Sequence, residues 1–209
     1  MINPESLMAL SFQPTVWLEN LLSELFTYPV QGVLFNNYFI ALKKNPLMLS
    51  DGVCSYEVKE TDYYAAEDSL LLKNNIIFGA LHTQKINCSN YSLIPQAFLR
   101  AELVEISRAL ACITHHLKNR KSQQKFIAEH SVVQDLLSQI IVRISTLNTL
   151  IDSFSQTEVC ADDLIVYAKN LIVAVCLDLG KLQGGQAFLL GGMSEMLWFF
   201  QNIHAIYLS

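Results

Sequence analysis

The chain of 209 residues contains no proline after Pro95, and this absence most constrains its fold. A proline inside a helix removes a backbone hydrogen bond and clashes with the preceding turn, so a long proline-free stretch permits long helices. Apolar residues in this stretch recur every three or four residues, which predicts two long amphipathic helices. The two series are Leu99, Leu103, Ile106, Leu110, Ile113 and Leu117, and then Val133, Leu136, Ile140, Ile144, Leu147, Ile151 and Phe154.

Two further helices are expected closer to the C-terminus. Residues from about 162 to 182 are apolar around most of the helical circumference, as is the segment "SEMLWFFQNIHAIYLS". A helix of this kind is covered on nearly every side. Four helices joined by short links predict a helical-bundle domain over residues 96–209.

The first half of the chain has a different sequence pattern from the second half. Residues 1–29 form a predicted N-terminal helical segment, in which Trp17, Leu21, Leu22 and Leu25 share one face of a helix. Residues 30–95 consist of β-branched and aromatic runs separated by turn residues, which predicts a small, reduced antiparallel β domain. The expected fold class is therefore α+β, mainly α.

Composition and charge exclude several classes of function. Charged residues make up 16% of the chain, against about 25% in typical soluble domains, which indicates extensive burial, including burial against another chain. The formal net charge of -5 disfavours nucleic acid and anionic membranes as partners. No apolar run reaches the roughly 18 residues of a membrane span, and the N-terminus lacks the pattern of a signal peptide. We expect a soluble, cytoplasmic protein.

Three segments of the predicted bundle carry a further pattern. The helix end "ITHHLKNR" precedes a turn and then "FIAEHSVVQDLLSQII", and a later helix carries a mid-helix alanine-lysine pair before a glycine-glycine turn. The last segment is "LWFFQNIHAIYL". The residues that carry the pattern are Arg120, Ile127, Gln134, Ala168, Lys169, Gly184 and Gly185.

In their order and spacing these segments resemble the C-terminal helical domain of acyl-CoA dehydrogenases, flavoproteins that introduce an α,β double bond into acyl thioesters. In that family the arginine and the glutamines contact FAD across a subunit interface, and the glycine pair allows close backbone approach to the dinucleotide. The resemblance therefore implies that Arg120, Gln134, Gly184 and Gly185 are the cofactor-binding residues.

The same comparison identifies departures from the family pattern. Gln123 stands in place of a phenylalanine, Gln124 in place of a glycine and Ser131 in place of the first glutamine, while Gln201 and Asn202 replace a terminal arginine-aspartate pair. The predicted sheet and the helix before it are also shorter than the family's corresponding domains. These departures imply a degenerate flavin site, from which FAD has been lost or in which it is held by fewer contacts.

Glu195 is the candidate catalytic residue. Many family members carry a glutamate a few residues after the glycine pair that removes the α-proton of the substrate, but that position falls here at Gly191. Glu195 is the nearest carboxylate, and its apolar neighbours suit a general base. The plainer interpretation is a helix-start residue, with Ser194 as the cap.

Histidines and one cysteine raise the question of a metal site. Cys112, His115 and His116 have the spacing of one helical face, but a site needs a further ligand such as His130 or His204, and no signature supplies it. Structural or surface roles are the favoured interpretation, and no metal is predicted.

The consecutive aromatic residues Trp198, Phe199 and Phe200 cannot all face one core on a single helix. Acyl-CoA dehydrogenases form dimers or tetramers through the helical domain, so the resemblance implies a homodimer or heteromer through the bundle. Coverage of the aromatic residues by the chain's own β region is the alternative.

These observations give one functional hypothesis and two alternatives. The first is an acyl-CoA dehydrogenase-like protein without independent flavin-dependent catalysis, which binds an acyl thioester on CoA or a carrier protein, or acts as a partner subunit. The second is an active FAD-dependent acyl-thioester dehydrogenase, alone or as half of a split or heteromeric enzyme. Without flavin, an enzyme could perform only non-redox thioester chemistry.

Overall fold

A computed structural model describes residues 12–35, 37–52, 54–66, 68, 71, 73–82, 93–122, 124–154, 162–189 and 191–207. The chain forms two compact units. The sheet unit contains Gln13–Phe98 and Asn202–Ser209, and the helical unit contains Met1–Phe12 and Leu99–Gln201.

The sheet unit begins with helix α1, Pro14–Leu25. A proline suits the first helical turn, because its missing N–H would have no partner there. The predicted apolar face is buried at Trp17, Leu21 and Leu22. The helix ends where Phe26 turns to an extended conformation, and the Phe26 N–H donates to the Leu22 carbonyl at 3.0 Å.

Six strands follow α1 and form one sheet in the order β4-β3-β1-β2-β6-β5. All neighbouring pairs are antiparallel except β1 and β3, which run parallel; β3 pairs with the edge of β1 that β2, its hairpin partner, leaves open. Phe39 of β2 is fully buried opposite Gly79 of β6, where a Cβ atom would overlap the phenylalanine ring. The strands are β1 Gly32–Phe35, β2 Tyr38–Leu42, β3 Leu47–Ser50, β4 Ser55–Val58, β5 Tyr63–Ala65 and β6 Ile76–Leu81.

Four helices account for most of the rest of the chain, which confirms the mainly helical α+β class. The predicted apolar series point inward, since Leu99, Ile106 and Ile113 are buried in one helix and Ile140 and Leu147 in the next. The elements are α2 Leu93–Asn119, a hairpin of β7 Lys121–Ser122 and β8 Lys125–Phe126, α3 Ser131–Phe154, α4 Asp162–Gln183, a 3-10 turn Gly184–Phe188 and α5 Met193–Tyr207.

An ion-pair cluster joins α3 to α4. Asp178 of α4 is buried and accepts hydrogen bonds from Arg143 of α3 and from Lys181, whose Nζ lies 2.7 Å from the carboxylate. Burial alone would raise the pKa of Asp178, but the hydrogen bonds from Lys181 and Arg143 outweigh it and hold the pKa below its usual value. The cluster therefore stabilises the pairing of these two helices while the carboxylate is ionised.

Two of the three consecutive aromatic residues of α5 are buried and pack against a ring from the N-terminal part of the helical unit. Phe199 and Phe200 are buried, and the ring of Phe12 packs against them with centroid distances of 5.5 Å and 5.7 Å. The Phe12 N–H also donates to the Gly191 carbonyl at 2.7 Å. Trp198 is half-buried. In the part of the chain that the structure describes, no helix combines the length and the apolarity that a bilayer crossing requires.

Candidate functional site

The turn between α2 and α3 holds Arg120 and Gln134 at its two ends. Three backbone hydrogen bonds connect them: the Ile127 N–H donates to the Arg120 carbonyl at 2.8 Å, the His130 N–H to the Ile127 carbonyl at 3.2 Å, and the Gln134 N–H to the His130 carbonyl at 3.0 Å. The β7–β8 hairpin lies between Arg120 and Ile127, so the first of these hydrogen bonds closes its base. The segment singled out in the sequence is therefore one compact, backbone-ordered turn.

Gln124 lies in the tip of this hairpin with a backbone φ of 69°. The resemblance places a glycine here, and glycine is the residue that adopts this left-handed conformation without steric cost. The backbone at this position thus has a conformation that favours glycine, while an exposed glutamine side chain occupies it. The neighbouring Gln123 lies outside the described residues.

The Arg120 side chain is exposed and contacts His116 of α2, with Nη1 3.3 Å from the imidazole Nε2. Burial lowers the pKa of His116, and the positive charges of Arg120 and His115 lower it further. A neutral imidazole can accept the hydrogen bond that Arg120 donates. This contact engages one of the five guanidinium donors, so Arg120 has capacity for an anionic ligand.

The other three predicted cofactor residues are also exposed. Gln134 lies in the first turn of α3, and Gly184 and Gly185 begin the 3-10 turn that follows α4. Gly184 has a φ of 65°, and a Cβ built on either glycine meets no atom within 4 Å. Within the described ranges, no hydrogen bond or ion pair links Arg120 or Gln134 to the glycine pair. The four residues therefore lie on the surface and do not line one enclosed pocket.

Two apolar side chains next to the glycine pair were missed by sequence reasoning. Phe188 is 82% exposed and Leu189 is 64% exposed, at the end of the same 3-10 turn. Contiguous exposed apolar surface is typical of contact sites, and these two side chains are adjacent in the chain. The available signal was an apolar pair inside the glycine-flanked segment "GGQAFLLGG", where no helical periodicity explains it.

Glu195 lies in the first turn of α5 and is half-buried. Its Oε2 accepts a hydrogen bond from the Gly191 N–H at 2.5 Å. This is the contact expected of a residue that organises a helix start, because the first N–H groups of a helix lack partners within the helix. Its assignment as the catalytic base stays a prediction.

The alanine-lysine pair of the resemblance lies at the interior of the helical unit. Ala168 is fully buried, and burial lowers the pKa of Lys169 while the negative charge of Glu102 opposes that shift. Glu102 of α2 is itself fully buried. The negative charge of a buried carboxylate on α2 therefore acts on Lys169 of α4.

The histidines of α2 are engaged in local contacts. The His115 Nε2 lies 3.0 Å from the side-chain amide nitrogen of Asn119, and His116 contacts Arg120. Among the residues with described positions, no three His, Cys, Asp or Glu side chains cluster as metal ligands would.

Three cavities are lined by residues other than the predicted site residues. A cavity of about 20 Å³, room for one water molecule, lies between α2 and the start of α5 and includes Arg108, Cys112 and Gly192. A second, of about 320 Å³, lies beside α1 in the sheet unit and includes Tyr28. The third, of about 500 Å³, is a groove between α2 and α3.

No protein-family model and no curated protein matches this chain. Solved structures do match its fold. An acyl-CoA dehydrogenase from Geobacillus kaustophilus is 12% identical over 88% of this chain and 61% of its own, with a TM-score of 0.55. A glutaryl-CoA dehydrogenase from Mycobacterium smegmatis in complex with FADH2 is 12% identical over 87% of this chain and 60% of its own, with a TM-score of 0.51.

The ChsE4–ChsE5 complex from Mycobacterium tuberculosis also matches, at 11% identity over 87% of this chain and 59% of its own, with a TM-score of 0.54. This chain spans about three fifths of the length of these structures. At such identity the likeness concerns the backbone alone. Over most of its length, the chain has the fold of acyl-CoA dehydrogenases.

Proposed function

We propose that this protein is an acyl-CoA dehydrogenase-like protein without independent flavin-dependent catalysis, which binds an acyl thioester on CoA or a carrier protein, or acts as a partner subunit. The observation that carries the proposal is Gln124. Its backbone has the left-handed conformation that favours glycine, the residue that the resemblance implies here, but it carries an exposed glutamine side chain. The scaffold of a cofactor turn is kept while the contact surface has changed.

The residues present fit a flavin only in part. The exposed guanidinium of Arg120 and the open backbone at Gly184 and Gly185 suit the phosphate and ribose portion of a dinucleotide. Gln124 obstructs close approach, and Ser131 has a shorter hydrogen-bonding reach than the glutamine it replaces. No redox step is assigned to these residues.

The position of Glu195 supports the same proposal. Its carboxylate already holds the Gly191 N–H at the start of α5. This contact orients the carboxylate toward the segment that leads into α5. We assign Glu195 a structural role at the helix start.

One observation favours the alternative, an active FAD-dependent dehydrogenase completed by another chain. The four predicted cofactor residues are all exposed, as contacts made across a subunit interface would be in a separated chain. ChsE4–ChsE5, a protein of the same fold, is a complex of two named components. In this alternative the second chain would supply the enclosure that the flavin ring needs.

An absorption spectrum of the purified protein tests the proposal. The protein should show no band near about 450 nm, the region of oxidised flavin absorbance, either as purified or after FAD is added and the excess removed. It should bind an acyl-CoA in calorimetric titrations. Retained flavin, together with reduction of that flavin by an acyl-CoA, would overturn the proposal in favour of the active enzyme.

Variants of the turn sharpen this test. Gln124→Gly should increase the affinity for FAD, because it restores a bare backbone at the hairpin tip. Arg120→Ala should weaken any flavin or nucleotide binding without altering the fold. Gln139→Ala, an exposed glutamine further along α3, is the matched control. Equal FAD affinities across all three variants would remove this turn from the site.

A further inference from the structure

The β7–β8 hairpin and the adjoining end of α2 carry an excess of positive charge. The chain as a whole has a net charge of -5, but residues 115–130 contain a single carboxylate, at Glu129. The same residues include four exposed cationic side chains, here called the basic patch: Lys118, Arg120, Lys121 and Lys125. The patch is therefore opposite in sign to the chain as a whole.

The basic patch differs from the other cationic side chains of the helical unit. Within the described ranges, no member of the patch forms an ion pair with a carboxylate. Each of the other described cations of this unit interacts with a carboxylate: Arg100 with Asp152, Arg108 with Glu105, Arg143 and Lys181 with Asp178, and Lys169 with Glu102. The positive charge that has no anionic partner is thus concentrated in the patch.

Local contacts compensate two members of the patch in part. Lys118 lies in the last turn of α2, where the negative end of the helix dipole favours a cation. Arg120 contacts His116, and its positive charge helps to lower the pKa of that imidazole. Lys121 and Lys125 follow the end of the helix, so they have the most charge available for a ligand.

An aromatic ring lies within the patch. The Lys121 ammonium is 4.8 Å from the centroid of the Phe126 ring, which is 37% exposed. A cation over the face of an aromatic ring is attracted to it, which favours this position of the lysine side chain. The hairpin therefore presents positive charge and accessible apolar surface side by side.

The register of the hairpin separates its two lysines. Lys121 pairs with Phe126, and Ser122 pairs with Lys125. Because successive side chains of a strand point to opposite faces, Lys121 and Lys125 do not converge on one point. A single phosphate group can meet only one of them, whereas an extended segment with several carboxylates can meet both.

The net charge of the chain narrows the choice of partner further. A nucleic acid or an anionic membrane extends beyond the hairpin, toward a chain with a net charge of -5 that repels it. A compact acidic partner touches only the patch, and complementary charge steers and orients its docking. The exposed ring of Phe126 offers an apolar contact that a protein side chain can fill.

We propose that the basic patch docks an acidic segment of a partner protein, with carboxylates against Lys121 and Lys125 and an apolar side chain against Phe126. The inference rests on the proposed function in its partner-subunit form, and it names the chemistry of the partner. The two lysines and Phe126 lie outside the residues to which the resemblance assigns flavin contacts.

Fluorescence anisotropy with the full chain and a labelled peptide tests the inference. The peptide consists of runs of glutamate that flank single leucines. The wild-type chain should bind it, and the affinity should fall as salt is added, because the contacts are exposed. A version with glutamine in place of glutamate should not bind, and a version of glutamate alone should bind less tightly, because it has nothing to pack on Phe126.

The paired change Lys121→Glu with Lys125→Glu should weaken binding of the acidic peptide by about 10-fold or more. The same variant should instead prefer a version of the peptide with lysine in place of glutamate, a reversal that loss of a merely structural role would not produce. Both side chains are exposed, so the circular dichroism spectrum should stay unchanged.

Lys43→Glu with Lys44→Glu is the matched control. It changes the net charge by the same amount, at two exposed lysines of the sheet unit. It should leave the affinity for the acidic peptide nearly unchanged, because these lysines lie outside the patch. Arg120 and Gln124 keep their natural side chains in every variant of this test, so flavin binding is tested separately.

Three outcomes would overturn the inference. They are a wild-type chain that does not bind the acidic peptide at low salt, an equal loss of affinity in the two lysine pairs, and a loss of acyl-CoA affinity in the variant with Lys121→Glu and Lys125→Glu. The last outcome would assign the lysines to the phosphates of CoA. Failure of the proposed function is read from flavin retention and acyl-CoA binding in the wild type, which need no peptide.

Discussion

The two units bury similar apolar cores but expose different surfaces. Among the described residues, three of the four large exposed hydrophobic side chains of the sheet unit are tyrosines: Tyr28, Tyr38 and Tyr64. A tyrosine keeps a hydroxyl in water while its ring packs against the protein. The helical unit instead exposes mainly aliphatic side chains, which have no polar end. Its exposed set is Val104, Phe126, Val132, Ile141, Val142, Val166, Tyr167, Leu177, Phe188 and Leu189.

This difference indicates where the protein meets other molecules. An aliphatic side chain gains about 1.5–3 kcal/mol when it is fully buried, so a surface that exposes many of them gains most from being covered. The tyrosine-rich surface of the sheet unit has less to gain. The helical unit is therefore the place to look for ligands and partners, and the following changes test how far the contrast extends.

Core substitutions should have the largest effect and should not distinguish the units. Phe39→Ala in the sheet and Phe199→Ala in the helical unit should each lower the free energy of unfolding by about 4 kcal/mol, because each leaves a cavity at a buried aromatic side chain. Urea unfolding measures both. Tyr38→Ala, at a half-exposed neighbour of Phe39, should cost far less. A much smaller loss for one core variant would show that its unit is loosely packed.

The helix pairing of the helical unit should depend on Asp178. Asp178→Asn leaves Arg143 without its carboxylate, and we expect it to lower the free energy of unfolding by about 2 kcal/mol. Asp152→Asn is the control, since the Arg100–Asp152 pair is exposed and should contribute less than about 1 kcal/mol. Equal losses in the two variants would contradict the idea that burial makes the α3–α4 cluster important.

The smallest expected effect is a pH dependence at the end of α2, next to Arg120. The pKa of His116 is lowered in the folded protein, first by burial and then by Arg120 and His115. Between that lowered value and the ordinary value of about 6.5, the unfolded chain binds more protons than the folded one. The free energy of unfolding should therefore rise with pH across this window.

His116→Gln should remove this contribution, which thermal unfolding at several pH values would measure. His115→Gln removes only the last-ranked cause of the lowered pKa and keeps the half-buried ring of His116 in place, so it should narrow the pH window without abolishing the slope. A slope that is the same in the wild type and in His116→Gln would show that the ring of His116 is freely solvated.

The helices could be predicted because their signal is local. The apolar series from Leu99 to Leu117 and the face containing Trp17 and Leu21 depend only on neighbours three or four residues away. The parallel pairing of β1 with β3 could not be predicted in this way. It depends on the path of the chain between β2 and the far edge of β1, and no local pattern encodes that path.

For the candidate site, too, local sequence patterns predicted only the features formed by residues close together in the chain. The turn carrying Arg120 and Gln134 was found from the sequence, because its residues lie close together along the chain. The coverage of Phe199 and Phe200 by Phe12 was not found, since the contact joins residues far apart in the chain. The exposure of Phe188 depends likewise on how the 3-10 turn leaves the end of α4.

The left-handed backbone at Gln124 gives this turn an intrinsic preference for glycine. An ordinary residue held in that conformation costs roughly 1–2 kcal/mol relative to glycine, so the hairpin carries a small, permanent strain. Substitution by glycine would relieve the strain and uncover the backbone at once. A mutation that makes the hairpin tip more accessible to a ligand is thus favoured by folding itself, before any ligand contributes.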